Sequence, residues 1–350
     1  MSLRYARASA VDEKMLRELL HLPMDGWIRM ALTREPSFFA GTEWGEAWAV
    51  LAKDGETPAG MYTAEIWSAH VNGHPMRAGY LGGLRTAVAY RNRIKVIRDG
   101  YASVVPLCPV PLPIIWYTVI MTDNRRGRRL LEANLQGMPQ YTQQNEFVTL
   151  AIPTSRARRH GLWQAVETQA QRVAFCNFYN HAASAYQFSP VLTEDRLGRL
   201  PARCFIHTLN GQIRATMAIW NRQAERQALV MGYAAPLNHL CPLYNVWARL
   251  TRRICLPAPG ATVKQEFLAF LAAPEAAPDV ATALVADALS LTTAPVLVFG
   301  LHAGHPWLPE LSRIFRPALY RAGIYTVRLA QEDEAPVLDA RPAQLETSLL

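Results

Sequence analysis

Basic side chains concentrate in one stretch of this 350-residue sequence, residues 85–129. Nine basic and two acidic residues lie there, so a small part of the chain carries most of the net charge of +8. Guanidinium groups bind phosphate through paired N–H donors, and lysines bind it as point charges. The stretch therefore predicts a site for a phosphorylated ligand. The alternatives are a solvated basic helix face and an arginine content set by codon usage.

The elements around these basic residues alternate between strands and helices. Strand formers over 76–88 contain Gly82–Gly83 and precede a basic helix over 91–104, and a buried strand over 114–121 precedes a helix over 126–134. Paired glycines inside a strand mark a bulge or a close backbone approach. Because N–H groups at a helix start favour anions, the two basic groups are predicted to lie at equivalent strand ends around one ligand.

The second half of the chain repeats the order of the first. It begins with a hairpin signalled by Asn210–Gly211 and continues as a series of strands and helices. This order predicts an α/β (α+β) protein with two tandem domains, 1–153 and 154–330, each a mixed, mostly antiparallel sheet flanked by helices. The last twenty residues, 331–350, hold five acids and one arginine and predict an acidic, flexible tail.

Cysteines and histidines follow no metal-binding pattern. The five cysteines form no C-x-x-C pair, which predicts a reduced, cytoplasmic protein. His302 and His305 match no established zinc spacing, and Pro306 interrupts the helix that would align them, so no metal is expected. No apolar run is long enough to cross a bilayer, and the aromatic residues are too dispersed to stack nucleic-acid bases. Neither a membrane nor a nucleic acid is expected as a partner, although the basic cluster alone could bind RNA weakly.

Residues 79–93, Gly-Tyr-Leu-Gly-Gly-Leu-Arg-Thr-Ala-Val-Ala-Tyr-Arg-Asn-Arg, resemble the fourth strand and following loop of the GNAT superfamily of N-acetyltransferases. Residues 3–7 before a capped helix and the strand-to-helix segment 117–124 support this resemblance. It covers residues 1–152 by motif and the second half only by the order of elements. The resemblance implies that the fourth strand is bulged and diverges from the fifth, with acyl-CoA lying in the opening between them.

The resemblance also assigns the donor-binding residues. The bulge would be Gly82–Gly83, and the N–H groups of Leu84 and Thr86 would meet the thioester carbonyl and the pantetheine arm. The family's phosphate loop, R/Q-x-x-G-x-G/A, aligns with residues 91–96 of this chain, which have Ile94 and Val96 in place of both glycines. Either the loop takes another shape or this half binds no CoA. The predicted cofactor-binding residues, for acetyl-CoA as co-substrate, are Leu84, Arg85, Thr86, Arg91, Asn92, Arg93, Ile94, Lys95, Val96 and Asn124.

The catalytic candidates are one carboxylate and a set of tyrosines. Glu65 stands in the otherwise uncharged strand stretch 61–68 and is the predicted general base for the amine, with a solvated edge position as the alternative. Many family members place a tyrosine about seven residues after the asparagine that matches Asn124, to protonate the departing thiolate, and this chain has Leu131 there. The predicted substitutes are Tyr80 and Tyr141, with Tyr117 as a further possibility.

The leading hypothesis is an N-acyltransferase that transfers an acetyl group from acetyl-CoA to a primary amine by direct attack. The amine would lie in the cleft between the halves, with the second half as scaffold or acceptor side. One alternative takes an acyl carrier protein, whose acidic surface would meet the arginines, or an aminoacyl-tRNA as donor. Another is a noncatalytic pseudoenzyme of the same fold that acts as an interaction module. The identity of the acceptor and the oligomeric state stay open.

Overall fold

The computed structural model describes residues 3–24, 26–41, 44–329 and 336–350. The strands of the first half are β1 Leu3–Arg7, β2 Ile28–Thr33, β3 Glu46–Asp54, β4 Thr57–Val71, β5 His74–Thr86, β6 Ile115–Met121 and β7 Gln140–Pro153. The strands of the second half are β8 Gln164–Ala165, β9 Ala202–Leu209, β10 Gln212–Trp220, β11 Gln227–Tyr233, β12 Glu266–Ala272, β13 Val296–His302 and β14 Ala318–Arg328. The α-helices are α1 Glu13–Leu20, α2 Ile94–Ala102, α3 Arg125–Leu131, α4 Gln169–Ala183, α5 Glu194–Arg199, α6 Ala235–Leu250, α7 Pro278–Leu291 and α8 Leu308–Phe315.

Both halves contribute to a single twelve-stranded sheet in the order β1-β3-β4-β5-β6-β14-β7-β13-β12-β10-β9-β8. Its pairs are antiparallel except β5 with β6 and β12 with β13. The prediction of mixed, mostly antiparallel sheets is therefore confirmed. The halves nevertheless exchange strands at the centre, because β14 lies between β6 and β7 while β7 pairs with β13. The predicted boundary at residue 153 therefore divides the sequence into two halves, but the sheet is continuous across both halves.

Helices cover both faces of the sheet. On one face α4 packs Phe175 and Tyr179 against a core that includes Tyr117. On the other, Val104, which follows α2, packs with Trp116, and α7 and α8 cover strands of the second half. All five cysteines are free thiols. No helix in the described ranges is both long enough and apolar enough to cross a bilayer.

The last residues of the chain are part of the core. Ala343, Leu345 and Leu349 are buried against the face that carries α4. Backbone hydrogen bonds join the segment to Gln187 on both sides, at 3.0 Å each. The prediction of a flexible tail is therefore wrong for residues 336–350, because their apolar side chains outweigh the charge that suggested a solvated segment. Residues 331–335 of the predicted tail lie outside the described residues.

Candidate active site

The parallel strands β5 and β6 pair along only part of their length. Their register partners are Ala78 with Ile115, Gly79 with Trp116, and Tyr80 with Tyr117. The Thr118 hydroxyl then donates to the Leu81 carbonyl at 2.6 Å, and beyond that point the strands diverge. Polar backbone groups of β5 are consequently left without a strand partner on that side. We call this gap, bordered by residues 82–86 and 119–121, the β5–β6 opening.

A bulge shapes the β5 side of the opening. The register with β4 shifts so that Gly82 faces Thr63 while Arg85 faces Met61. Gly83 has φ +59°, and a Cβ built there would lie 2.8 Å from the Thr63 hydroxyl. Only glycine tolerates this combination without strain. The predicted bulge at Gly82–Gly83 is thereby confirmed.

Backbone donors beyond the bulge point into the opening. The Ala87 N–H bonds the Ala59 carbonyl on β4 at 3.0 Å, which makes Thr86 and Gly60 a pair that exchanges no hydrogen bonds. The Thr86 N–H therefore points away from β4, and alternation along the strand directs the Leu84 N–H the same way. The structure thus presents the two predicted N–H groups to the side where β5 lacks a partner.

Two basic segments meet at the mouth of the opening. The Arg126 guanidinium at the start of α3 donates to the Arg91 carbonyl at 3.1 Å and to the Asn92 carboxamide at 2.6 Å. The guanidinium of Arg93 lies over the Tyr90 ring at 5.2 Å, and Lys95 lies 3.5 Å from Asp99 one helical turn on. The predicted residues from Arg91 to Lys95 are all exposed, Ile94 included. They form one basic surface, as the sequence predicted.

Two predicted donor-binding residues have structural roles instead. Val96 is 5% exposed and packs with Ala52, Ala59 and Tyr90, so its side chain belongs to the core, where it lines a small pocket next to Leu84 and Thr86. Asn124 caps α3, because its carboxamide oxygen accepts the Gly127 N–H at 3.0 Å. Both corrections follow from local helix geometry: Val96 lies on the inward side of α2, and an asparagine before a helix bonds its free N–H groups.

Glu65 and Tyr80 lie together on the sheet face next to the opening. They are register partners on β4 and β5, and the Tyr80 ring centroid is 5.5 Å from that of Tyr117. Burial raises the pKa of Tyr80, so its hydroxyl stays protonated at neutral pH. Glu65 is 7% exposed, and its carboxylate is 3.4 Å from the Arg226 guanidinium. A buried carboxylate and a protonated phenol thus share one site.

The third catalytic candidate is elsewhere. Register partners on neighbouring strands share a face of the sheet. Tyr117 pairs with Thr326 and Thr326 pairs with Thr142, so Thr142 lies on the same face as Tyr117. Tyr141, the residue before Thr142, therefore lies on the opposite face. There the Tyr141 hydroxyl bonds that of Tyr101. The prediction of a catalytic role for Tyr141 is wrong on this geometry, since the sheet separates it from Glu65.

Sequence reasoning missed the arginines that the second half brings to this site. Strands β2 and β11 form a two-stranded ribbon that joins the halves, which places Arg226 and Arg222 near Glu65 and Arg34. Burial, reinforced by the charge of Arg226, lowers the pKa of Arg34 to about 9 and that of Arg222 to about 10. No sequence signal could have found this group, because its members come from segments far apart in the chain.

The second half has a corresponding gap, and the chain itself fills it. Strands β12 and β13 pair only at Glu266–Leu297 and Phe267–Val298 before they separate. Glu346 accepts the Phe270 N–H at 2.7 Å there, while Gln344 accepts the His302 N–H at 2.7 Å and donates to the Gly300 carbonyl at 2.8 Å. Residues 344–346 therefore occupy the backbone groups that a ligand would need in this half.

A cavity of about 380 Å³ lies between the halves. Trp44, Glu46 and Ile66 line it from the first half, and Asp195, Arg199, Trp220 and Glu225 line it from the second. Acidic and basic side chains both face it. Within the described ranges, no group of three His, Cys, Asp or Glu residues could hold a metal ion. His302 and His305 pack instead with Tyr186 and Trp307.

Comparison with known proteins gives the fold of this chain. No family model and no curated protein matches the sequence. Among solved structures, N-myristoyltransferase of Saccharomyces cerevisiae with bound myristoyl-CoA matches with TM-score 0.59 at 9% identity, over 99% of this chain and 84% of that one. A putative acetyltransferase from Pyrococcus horikoshii matches with TM-score 0.52 at 10% identity, over 97% and 96%. The chain has the tandem GNAT fold.

A probable N-acyltransferase from Enterococcus faecalis is also similar, with TM-score 0.50 at 10% identity over 94% of this chain and 73% of that one. At such identities the likeness concerns the GNAT fold and not the activity. Strands β5 and β6 stand fourth and fifth in the order of the large sheet. The β5–β6 opening therefore corresponds to the divergence of the fourth and fifth strands that the sequence resemblance implied.

Proposed function

We propose that this chain is an N-acyltransferase that takes its acyl group, an acetyl group in the leading case, from a coenzyme A thioester held in the β5–β6 opening. The observation that carries the proposal is the divergence of β5 and β6 beyond Tyr80 and Tyr117, with a bulged backbone on one side and a basic mouth. The GNAT fold supports it, since N-myristoyltransferase and a probable N-acyltransferase share this architecture.

The donor would be bound by backbone inside the opening and by side chains at its mouth. The N–H groups of Leu84 and Thr86 would bond the pantetheine arm and the thioester carbonyl. Because the loop lacks the family's glycines, the pyrophosphate would be bound by guanidinium groups, with Arg91 and Arg126 on adjacent segments. Val96 is buried, so its side chain takes no part in the exposed basic surface from Arg91 to Lys95.

The chemistry assigned to Glu65 and Tyr80 is proton transfer that accompanies direct attack of the amine on the thioester. The amine nitrogen attacks the thioester carbonyl, and the carbon–sulfur bond breaks after the new carbon–nitrogen bond forms. Glu65 would take the proton that the amine loses, and Tyr80 would protonate the departing thiolate. The two residues are register partners on one face of the sheet, and Glu65 would return the proton to Tyr80 between turnovers.

The acceptor would enter through the cavity between the halves. Glu46, Asp195 and Glu225 line it beside Arg196 and Arg199, and the carboxylates would meet the amino group of the acceptor. The second half would act as the acceptor side and scaffold, because its own gap is filled by residues 344–346 and Arg226 reaches Glu65 from it.

A macromolecular donor is the second candidate. The exposed residues Arg91, Lys95 and Arg126 form a surface suited to an acidic carrier protein or an aminoacyl-tRNA. The noncatalytic alternative is favoured by Leu131, which is buried where the family places a tyrosine.

Titration calorimetry with acetyl-CoA tests the proposal. We expect saturable binding that the double substitution Arg91→Ala and Arg126→Ala weakens by about tenfold or more, as loss of charged hydrogen bonds predicts. Arg4→Ala, at an exposed strand position, serves as the matched control. The absence of heat with folded protein at millimolar acetyl-CoA would overturn this donor. Binding without CoA release across a panel of primary amines would favour the noncatalytic alternative.

A further inference from the structure

Helix α6 exposes a stripe of apolar side chains. Leu243 is 70% exposed and Leu250 80% exposed, although both are large and apolar. Their spacing places them on one side of a helix, since residues three and four apart are neighbours on its surface. Ala248 is buried on the opposite side. We call the stripe the α6 face; its residues are Leu240, Leu243, Val246, Trp247 and Leu250.

The surroundings of the α6 face are basic and contain no carboxylate in the local sequence. Between Glu225 and Glu266 the chain has no Asp or Glu, while it has Arg249, Arg252 and Arg253 around the end of α6. The Arg156 guanidinium joins them, because it donates to the Arg252 carbonyl at 3.1 Å.

Like charges meet in this group. The pKa of Arg156 is lowered by burial and by the positive charges of Arg316, Arg253 and Arg252. The arginine ion pairs found among the described residues do not include Arg156, Arg249, Arg252 or Arg253. The positive charge of this cluster is therefore available to an anionic partner.

Aromatic residues border the apolar stripe where it meets the charges. The Arg253 guanidinium lies 4.9 Å from the Trp247 ring centroid. Trp27 is 70% exposed beside the start of α6, where its carbonyl accepts the Ala234 N–H at 3.0 Å. Tryptophan and arginine side chains suit the headgroup region of a bilayer, and exposed leucines suit its acyl chains, so this arrangement matches a lipid surface.

We propose that the α6 face docks on an anionic lipid surface, with its leucines in the acyl region and the surrounding arginines on lipid phosphates. A second copy of the chain fits less well, because a symmetric contact would bring two arginine clusters together. The α6 face offers no groove for a peptide, whereas an apolar helix face bordered by arginines can lie in a bilayer interface. The inference reaches beyond the acyl-transfer proposal and differs from the expectation that no membrane is a partner.

Flotation with vesicles tests the docking. We expect the full chain to float with vesicles of phosphatidylcholine that contain about a third phosphatidylglycerol, and much less with phosphatidylcholine alone. Leu243→Gln should lower the partition coefficient by about tenfold or more, as loss of one buried leucine predicts. Leu209→Gln, at an exposed leucine on the β9–β10 hairpin, should leave it unchanged.

Charge variants separate the two parts of the surface. Arg252→Gln with Arg253→Gln should weaken flotation and reduce its dependence on salt, and Arg4→Gln should do neither. Failure of the unmodified chain to float with anionic vesicles would overturn the proposal. Flotation that is unchanged by Leu243→Gln would overturn it as well. So would the finding that the chain does not float but forms a dimer, which Leu243→Gln converts to monomer.

Discussion

Glu65 on β4 and Tyr80 on β5 are register partners, and Arg226, from the other half of the chain, pairs with the carboxylate of Glu65. A buried carboxylate is costly unless it is paired, so the arrangement needs both halves to be folded. The candidate catalytic pair therefore depends on the interface between the halves, although both of its members belong to the first half.

Replacement of the carboxylate tests the general base. Glu65→Gln keeps the shape of the side chain and removes the group that accepts the proton, so the rate of CoA release with a reactive amine should fall by about 100-fold or more. Acetyl-CoA affinity by calorimetry should stay within about twofold, because the carboxylate is not assigned to the donor. Glu56→Gln at the exposed β3–β4 turn is the control, and an unchanged rate in Glu65→Gln would remove Glu65 from the mechanism.

The two tyrosines on opposite faces of the sheet should respond differently to loss of their hydroxyls. Tyr80→Phe should lower the turnover number by about tenfold or more, because the departing thiolate loses its proton donor. Tyr141→Phe removes only the hydrogen bond to Tyr101 and should cost about 1 kcal/mol of stability with the rate unchanged. Steady-state kinetics and urea unfolding of both variants measure this, and equal rate losses would contradict the assignment.

The bulge at Gly83 should tolerate no side chain. Gly83→Ala places a Cβ in the left-handed region and against Thr63, which should lower the free energy of unfolding by about 1–3 kcal/mol and weaken acetyl-CoA binding. Gly198→Ala in α5 meets open space and should be neutral or stabilising by up to about 1 kcal/mol. Chemical denaturation compares the two, and a stable Gly83→Ala protein would show that the bulge relaxes.

Asp287 should make stability depend on acidic pH. Burial acts to raise the pKa of its carboxyl, but the N–H groups of His160, Gly161, Leu162 and Trp163, at 2.6–3.3 Å, outweigh it and the pKa is lowered.

A carboxyl whose pKa is lower in the folded state stabilises the protein above its unfolded pKa of about 3.9 and loses that contribution as pH falls through the folded value. Asp287→Asn should therefore unfold more easily at neutral pH and show a flatter stability profile below about pH 5. Urea unfolding across this range measures it, with Asp279→Asn at the exposed start of α7 as control. Parallel profiles for Asp287→Asn and the unmodified chain would contradict the role of Asp287.

The amino-acid sequence by itself determined the features that depend on neighbouring residues. Gly82–Gly83 predicts the bulge, and Asn210–Gly211 predicts a hairpin whose two turn residues have positive φ. The basic residues from Arg91 to Lys95 lie at the mouth of the opening as their spacing indicated. Each of these rests on backbone sterics or on short-range spacing, which a sequence displays directly.

Only the tertiary structure decided the features that join distant segments. The exchange of β7 and β14, the pairing of Arg226 with Glu65 and the burial of Leu345 bring together residues far apart in the chain. Helix α6 continues through Pro242, a residue that local propensity disfavours inside a helix. Burial and register depend on which strands become neighbours, and that choice minimises exposed apolar area over the whole chain rather than within any one segment.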